Sequence, residues 1–163
     1  MRIEIRRAEP GDYKALQQVH AQPRAIWGTL QVPFPSEELW KKRLTDAGDE
    51  MVALVACVEG EVVAMAGLHL YTKSPRRKHV GYIGMAVHDK WQSKGVGTAL
   101  INALIDLADN WLNLARLELN VWTDNEPALR LYKKLGFEIE GTQKKFAFRD
   151  GAYVDAYAMA RVR

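Results

Sequence analysis

Gln92-Ser93-Lys94-Gly95-Val96-Gly97 lies between an apolar run, Tyr82-Ile83-Gly84-Met85-Ala86-Val87, and a long amphipathic stretch. A strand, a glycine turn and a helix start in that order bring several backbone N–H groups to one spot. The first four N–H groups of a helix have no partner inside it, and the helix dipole adds partial positive charge there. The chemistry this favours is the holding of a phosphate or pyrophosphate. Gly95 and Gly97 present no Cβ to an approaching ligand. The spacing is not a P-loop, which requires G-x-x-x-x-G-K-[ST]. Nor is it a dinucleotide fingerprint, whose third glycine is replaced here by Leu100.

The elements that must place this turn are legible around it. Ile3–Arg7 alternates as a strand does, and Asp12 is expected to cap a helix carrying Tyr13, Leu16, Val19 and His20. The proline-containing stretch Pro23–Pro35 is expected to be irregular. Ser36 is an N-cap for a helix reaching about Ala47. Met51–Val58 and Val62–Tyr71 flank Glu59-Gly60-Glu61 as a hairpin. Thr72–Lys78 reads as a basic loop and His79–Val87 as the strand before the turn. The helix after the turn, from about Gly97, buries Val96, Leu100, Ala103, Leu104 and Leu107 on one face. Leu117, Leu119 and Val121 alternate with Glu118 and Asn120 in a further strand. Asp124-Asn125-Glu126-Pro127 opens a short helix that Gly136 ends. Arg149-Asp150-Gly151 turns a final hairpin. The order β-α-α-β-β-β-α-β-α-β-β mixes hairpins with crossover helices and is neither a Rossmann fold nor a barrel.

About 30 residues beyond the glycine turn stands a second motif, Asn125-Glu126-Pro127-Ala128-Leu129-Arg130-Leu131-Tyr132-Lys133-Lys134-Leu135-Gly136-Phe137. Together the two motifs resemble the GCN5-related N-acetyltransferase (GNAT) family over nearly the whole chain. Thr29–Ser36, Glu138–Thr142 and Arg149–Asp155 are similar to the branch containing bacterial L-amino-acid N-acetyltransferases. The resemblance implies an α/β (α+β) acyl-CoA N-acyltransferase fold in one domain, residues 1–163. Its mixed sheet would have about seven strands and four helices, with strands four and five splayed around the cofactor.

The resemblance also implies acetyl transfer from acetyl coenzyme A directly to an amine. Gln92, Ser93, Lys94, Gly95, Val96, Gly97 and Thr98 would hold the pyrophosphate. Met85, Ala86 and Val87 would lie beside the pantetheine arm, the backbone of Met85 and Val87 pairing with it as another strand would. Gly84 would ease a bulge or simply pack. Tyr132 is the residue that would protonate the departing thiolate; without the motif it reads as a helix tyrosine packed on Leu129 and Leu135. Asn125 would bind the arm, cap the helix, or both. Glu118 either takes the amine's proton or is paired with Arg116 or a lysine; Tyr82 and His79 are further candidates. Trp27, Gln31, Phe34, Phe146, Tyr82 and Tyr153 would surround the acceptor, with Arg24, Arg76, Arg77 and Lys145 as donors for a carboxylate.

Composition sets the limits. The chain has 163 residues, 48% hydrophobic and 26% charged, as an ordinary globular chain has. A net charge of +3 is too mild to argue for nucleic acid, and Arg76-Arg77-Lys78 reads as a solvated turn. The one cysteine, Cys57, sits in an apolar run and reads as a buried thiol. No metal-ligand spacing occurs among the four histidines, so no metal is expected. The absence of a long apolar stretch points to a soluble, cytoplasmic protein with no membrane partner. A homodimer is expected from the family's habit. The resemblance to the amino-acid branch implies that the acceptor is the α-amino group of a small L-amino acid. Alternatives are a polyamine, an amine-bearing toxin or antibiotic, a protein N-terminus, or a non-catalytic acyl-coenzyme A sensor.

Overall fold

A computed structural model describes residues 1–163. Seven strands form one sheet in the order β1-β2-β3-β4-β5-β7-β6. They are β1 (Ile3–Arg7), β2 (Met51–Val58), β3 (Glu61–Leu70), β4 (Val80–Val87), β5 (Arg116–Trp122), β6 (Glu138–Arg149) and β7 (Ala152–Val162). All neighbours are antiparallel except β4 and β5. The parallel pair is joined through α4 (Val96–Asn110), the crossover a parallel connection requires.

Strands β4 and β5 pair only at Val80–Tyr82 with Arg116–Glu118. Beyond that point β5 stays bonded to β7 along its whole length, and β4 stays bonded to β3. The sheet therefore opens along the second half of β4, which is the expected splay. Gly84 makes no bulge there: it pairs in regular register with Gly67, and the β2–β3 irregularity lies at Ala56 and Cys57 instead.

Each face of the sheet carries its own helices. Leu68, Ile83, Leu117 and Leu119 pack with Leu100 and Leu104 of α4 and with Leu129 and Tyr132 of α5 (Glu126–Lys134). On the opposite face Val55 and Cys57 pack with Leu16 of α1 (Tyr13–His20) and Trp40 of α3 (Glu37–Thr45). Because side chains alternate across a strand, Tyr82, Glu118, Asn120 and Trp122 belong to the α1–α3 face. Cys57 is buried and free.

There are five α-helices rather than four. The added one, α2 (Pro23–Gly28), occupies part of the stretch expected to be irregular. Pro23 stands in its first turn, where the missing N–H costs nothing. Its next two N–H groups are taken by a carboxylate from a distant segment: Asp89 accepts from Arg24 N at 3.0 Å and from Ala25 N at 3.2 Å. The cap of α1 also differs from expectation. Asp12 does not cap it; its carboxylate takes both terminal nitrogens of Arg6 at 2.9 Å and the N–H of Glu9 at 2.8 Å. Ser36 does cap α3, accepting from Leu39 N at 3.0 Å.

Candidate active site

The turn after β4 is built from left-handed residues. Ser93 has φ 58° and Gly95 φ 84°, on either side of Lys94. Within the protein, no backbone carbonyl or side chain accepts from the N–H groups of Ser93 through Thr98; the first internal donor after them is Ala99, to Gly95 O. Alternating hands turn successive N–H groups to one side, a concavity suited to anions. At the mouth of the 15-residue helix α4 the dipole adds to it. Gly95 is required by its φ.

Gly97 serves a different need from the one expected: a Cβ there would come within 3.1 Å of Met85 Cε, so its absence lets α4 close on β4. Gln92 does not point at the nest. Its Nε2 donates to Val87 O at 3.1 Å and to Asp89 at 3.4 Å, tying the turn to the end of β4. Lys94 Nζ lies 5.1 Å from the centre of the Trp91 ring, and Val96 is turned into the core.

One cavity of about 1580 Å³ joins this nest to the splay and to the α1–α3 face. Gln92, Ser93, Gly95, Gly97 and Thr98 line one end, and Met85, Ala86, Val87, Asn125 and Tyr132 line the middle. Asn125 Oδ1 caps α5 by accepting from Ala128 N at 3.4 Å. Its Nδ2 faces Gly28 of α2. Tyr132 is buried, edge-on to Phe137 with ring centres 5.7 Å apart. Burial, with Tyr82 nearby, pushes its phenol well above the ordinary range. Tyr132 therefore stays protonated and has a proton to donate.

The acceptor-side residues divide. Trp27, Gln31 and Tyr82 line the cavity, as does Phe146. Trp27 lies under the Arg149 guanidinium at 3.9 Å, and its carbonyl accepts from Trp122 Nε1 at 2.8 Å. Helix α2 is thus tied at one end to the segment after β4, through Asp89, and at the other to the end of β5. It straps the open end of the splay. Gln31 Oε1 accepts from Arg43 at 3.1 Å. Phe34 and Tyr153 are not among the cavity's lining residues. Phe34 is 98% exposed on a loop between two prolines, and Tyr153 packs edge-on against Phe148 with Lys145 over its ring.

Glu118 stands where β4 and β5 part, but its carboxylate is held by Arg77 and by Arg116, each at 2.8 Å. Arg116 also binds Glu140. Glu118 does not line the cavity, so the structural alternative weighed for it is the one observed.

Several cavity residues were not singled out from sequence: Met51, Met65, Gly67, His69, Asn120 and Trp122. They come from three separate strands, and only strand register reveals that they share a face. His20 is buried, stacked on Trp40 at 4.0 Å, and bonded through Nδ1 to Leu16 O at 2.7 Å. Burial lowers its pKa to about 4, so it is neutral.

A nest at a helix mouth, an open parallel pair and a protonated tyrosine share one cavity. Across residues 17–137 the sequence matches the acetyltransferase (GNAT) family. The chain belongs to the GNAT family. It is 50% identical over 161 residues to the L-amino acid N-acetyltransferase AaaT of Escherichia coli (strain K12), covering 99% of this chain and 98% of that one. It is 26% identical to the Escherichia coli K12 spermidine N(1)-acetyltransferase, over 96% of this chain and 84% of the relative. The fold superposes with a TM-score of 0.87, at 21% identity, on a GNAT superfamily phosphinothricin acetyltransferase from Sinorhizobium meliloti in complex with AcCoA; that match covers 99% of this chain and 89% of the other. The protein is accordingly an acetyltransferase that uses acetyl coenzyme A. The nest fits that cosubstrate's pyrophosphate, and the splay fits a narrow, amide-bearing arm.

Proposed function

We propose that this GNAT enzyme acetylates the α-amino group of a small free L-amino acid. The observation that carries the reading is the single cavity that runs from the phosphate nest past Tyr132 to the α1–α3 face. The sequence likeness to the amino acid acetyltransferase, over nearly the full length of both chains, supports the acceptor class. So does charge. Arg24, Lys42, Arg43, Arg130 and Lys134 line the cavity, against Asp46, Glu50 and Asp124. Asp124 is already bound by Arg149, and Glu50 by Lys73. A polycation such as spermidine would meet unfavourable charge there, whereas a carboxylate-bearing acceptor would not.

In this reading residues 1–163 act as one domain. Backbone N–H groups of Ser93–Thr98 hold the pyrophosphate, and the free edge of Met85–Val87 pairs with the arm. The bound cosubstrate supplies an activated acetyl thioester. Tyr132 Oη delivers a proton to the departing sulfur. Trp27, Gln31 and Tyr82 bound the acceptor. No metal takes part. No helix is long and apolar enough to cross a membrane, in keeping with work in the cytoplasm. A homodimer would cover the exposed Leu30, Val32, Phe34 and Phe148.

Release of free coenzyme A thiol from acetyl coenzyme A, measured with the common amino acids, polyamines and an N-terminal peptide as acceptors, tests the reading. Turnover with amino acids at least tenfold above the other classes is expected. Preference for a polyamine or peptide, or tight cofactor binding without release, would reject it.

A further inference from the structure

An amine enters a site at neutral pH as an ammonium ion and cannot attack until its proton leaves. Three carboxylates near the splay are already paired with cations, and Asp46 stands apart, after the end of α3. Glu118 is held by two arginines, Asp124 by Arg149 and Glu50 by Lys73. His20 is stacked under Trp40 with one ring nitrogen committed to Leu16 O.

A different set of groups crosses the sheet where β4 and β5 part. His69 of β3 pairs directly with Tyr82 of β4. Tyr82 Oη accepts from Asn120 Nδ2 of β5 at 3.1 Å. All three line the cavity on the α1–α3 face, opposite Tyr132. The Asn120 bond uses one lone pair of the Tyr82 oxygen. The other lone pair and the hydroxyl proton remain, so the oxygen can receive a proton from one side while giving its own to the other. The His69 and Tyr82 rings are 6.5 Å apart, centre to centre, and share no direct hydrogen bond, so a proton passing between them would travel through a bridging water. His69 is exposed and can pass a proton onward to solvent.

We propose that Tyr82 and His69 form the route by which the acceptor amine loses its proton, with His69 as the general base. The ammonium N–H bond breaks as the Tyr82 oxygen takes that proton. The Tyr82 O–H bond breaks as its proton passes through water to a ring nitrogen of His69. The amine keeps its electron pair, Tyr82 ends as it began, and the imidazolium returns the proton to solvent. Imidazole is the side chain that ordinarily changes charge between pH 5 and 8, which suits this task. The proton is removed on one face of the sheet, and Tyr132 supplies another on the opposite face. Tyr82 on β4 pairs with His69, and Glu50, with its partner Lys73, precedes the Met51 that pairs with His69 on β2. Tyr71 and Glu118 act on Tyr82, and His20, Arg24, Lys42, Arg43, Asp46, Asp124, Arg130 and Lys134 line the same cavity. This inference rests on the acetyltransferase reading above.

The test is the pH profile of kcat/KM for His69→Gln and Tyr82→Phe, measured with two amino acids whose amines differ in pKa. In the wild-type enzyme the acid limb is expected to be the same for both acceptors. It should match the midpoint of the His69 imidazole followed by NMR in the free protein. In both variants the limb is expected to move up and follow each acceptor's own pKa. His69→Gln should lose about 10- to 100-fold at pH 7 and recover to within about threefold of wild type once the amine is free in solution. Acetyl coenzyme A affinity, measured by calorimetry, should be unchanged. An unmoved acid limb in His69→Gln, a loss equal at every pH, or an NMR midpoint far from the wild-type limb would overturn the proposal. A wild-type chain that acetylates no amine would instead overturn the functional reading on which it rests.

Discussion

Tyr132 shows how one side chain acquires a role from its surroundings. A phenol in water is a poor acid at neutral pH, and burial against Phe137 and the α4 core makes it poorer still. In the proposed reaction that burial would keep the proton on the oxygen until a strong base, the thiolate, forms beside it. Tyr132→Phe is expected to keep the fold, since the ring packing is retained. It should lower kcat by about 100-fold or more with acetyl coenzyme A affinity unchanged, as checked by stopped-flow thiol release and calorimetry. Gly97 makes the contrasting case. Its missing Cβ spares Met85, so Gly97→Glu forces α4 away from β4 as well as placing a negative charge at the nest. Both effects would weaken the proposed pyrophosphate site. Calorimetry is expected to show a loss of acetyl coenzyme A affinity of at least about tenfold.

At the level of elements, α2 and α1 carry the consequences. Helix α2 has only six residues and owes its placement to Asp89 at one end and Trp122 at the other. Asp89→Ala removes three acceptor contacts, to Arg24 N, Ala25 N and Gln92 Nε2. It is expected to raise the acceptor KM several-fold, because Trp27 and Gln31 lose their anchor; an unchanged acceptor KM in steady-state assays would show that α2 is held by other means. In α1, His20 titrates at about 4 in the folded protein, against 6.5 when unburied. Between those values the unfolded chain binds a proton that the folded chain refuses, so the contribution of His20 to stability declines as pH falls from 6.5 to about 4 and is constant on either side. The loss is about 3 kcal/mol at most. Urea melts across that window are expected to show it, and His20→Phe, which keeps a ring on Trp40, should remove it.

For the molecule as a whole, the decisive fact is that its two sheet halves share only three paired positions between β4 and β5. The halves are bridged elsewhere by the core under α4 and by the α2 strap. Such an arrangement leaves the second half of β4 with a free edge beside the nest. Hydrogen exchange is expected to slow at amides within Ile83–Val87 and Ser93–Thr98 when acetyl coenzyme A binds, with β1 and β2 little affected; uniform slowing across the sheet would argue against a localised site. Much of this organisation was legible in advance. The apolar periodicity of α4, the two-residue turns at Gly60 and Gly151, the Ser36 cap and the glycine turn are local signals, written in neighbouring residues. The irregular reading of Pro23–Pro35 failed because α2 is capped by a residue 65 positions away. Glu118 failed as a free carboxylate because Arg77, 41 positions away, folds back onto it.

The sequence by itself determined most of the elements, the glycine turn and the family, since each depends on residues close together along the chain. Tertiary structure alone decided which side chains meet. The row His69–Tyr82–Asn120 exists only through strand register, the strap only through a distant carboxylate, and the hold of Tyr132 on its proton only through burial. Register, long-range pairing and desolvation are properties of assembled chains, and no spacing along a sequence encodes them one residue at a time.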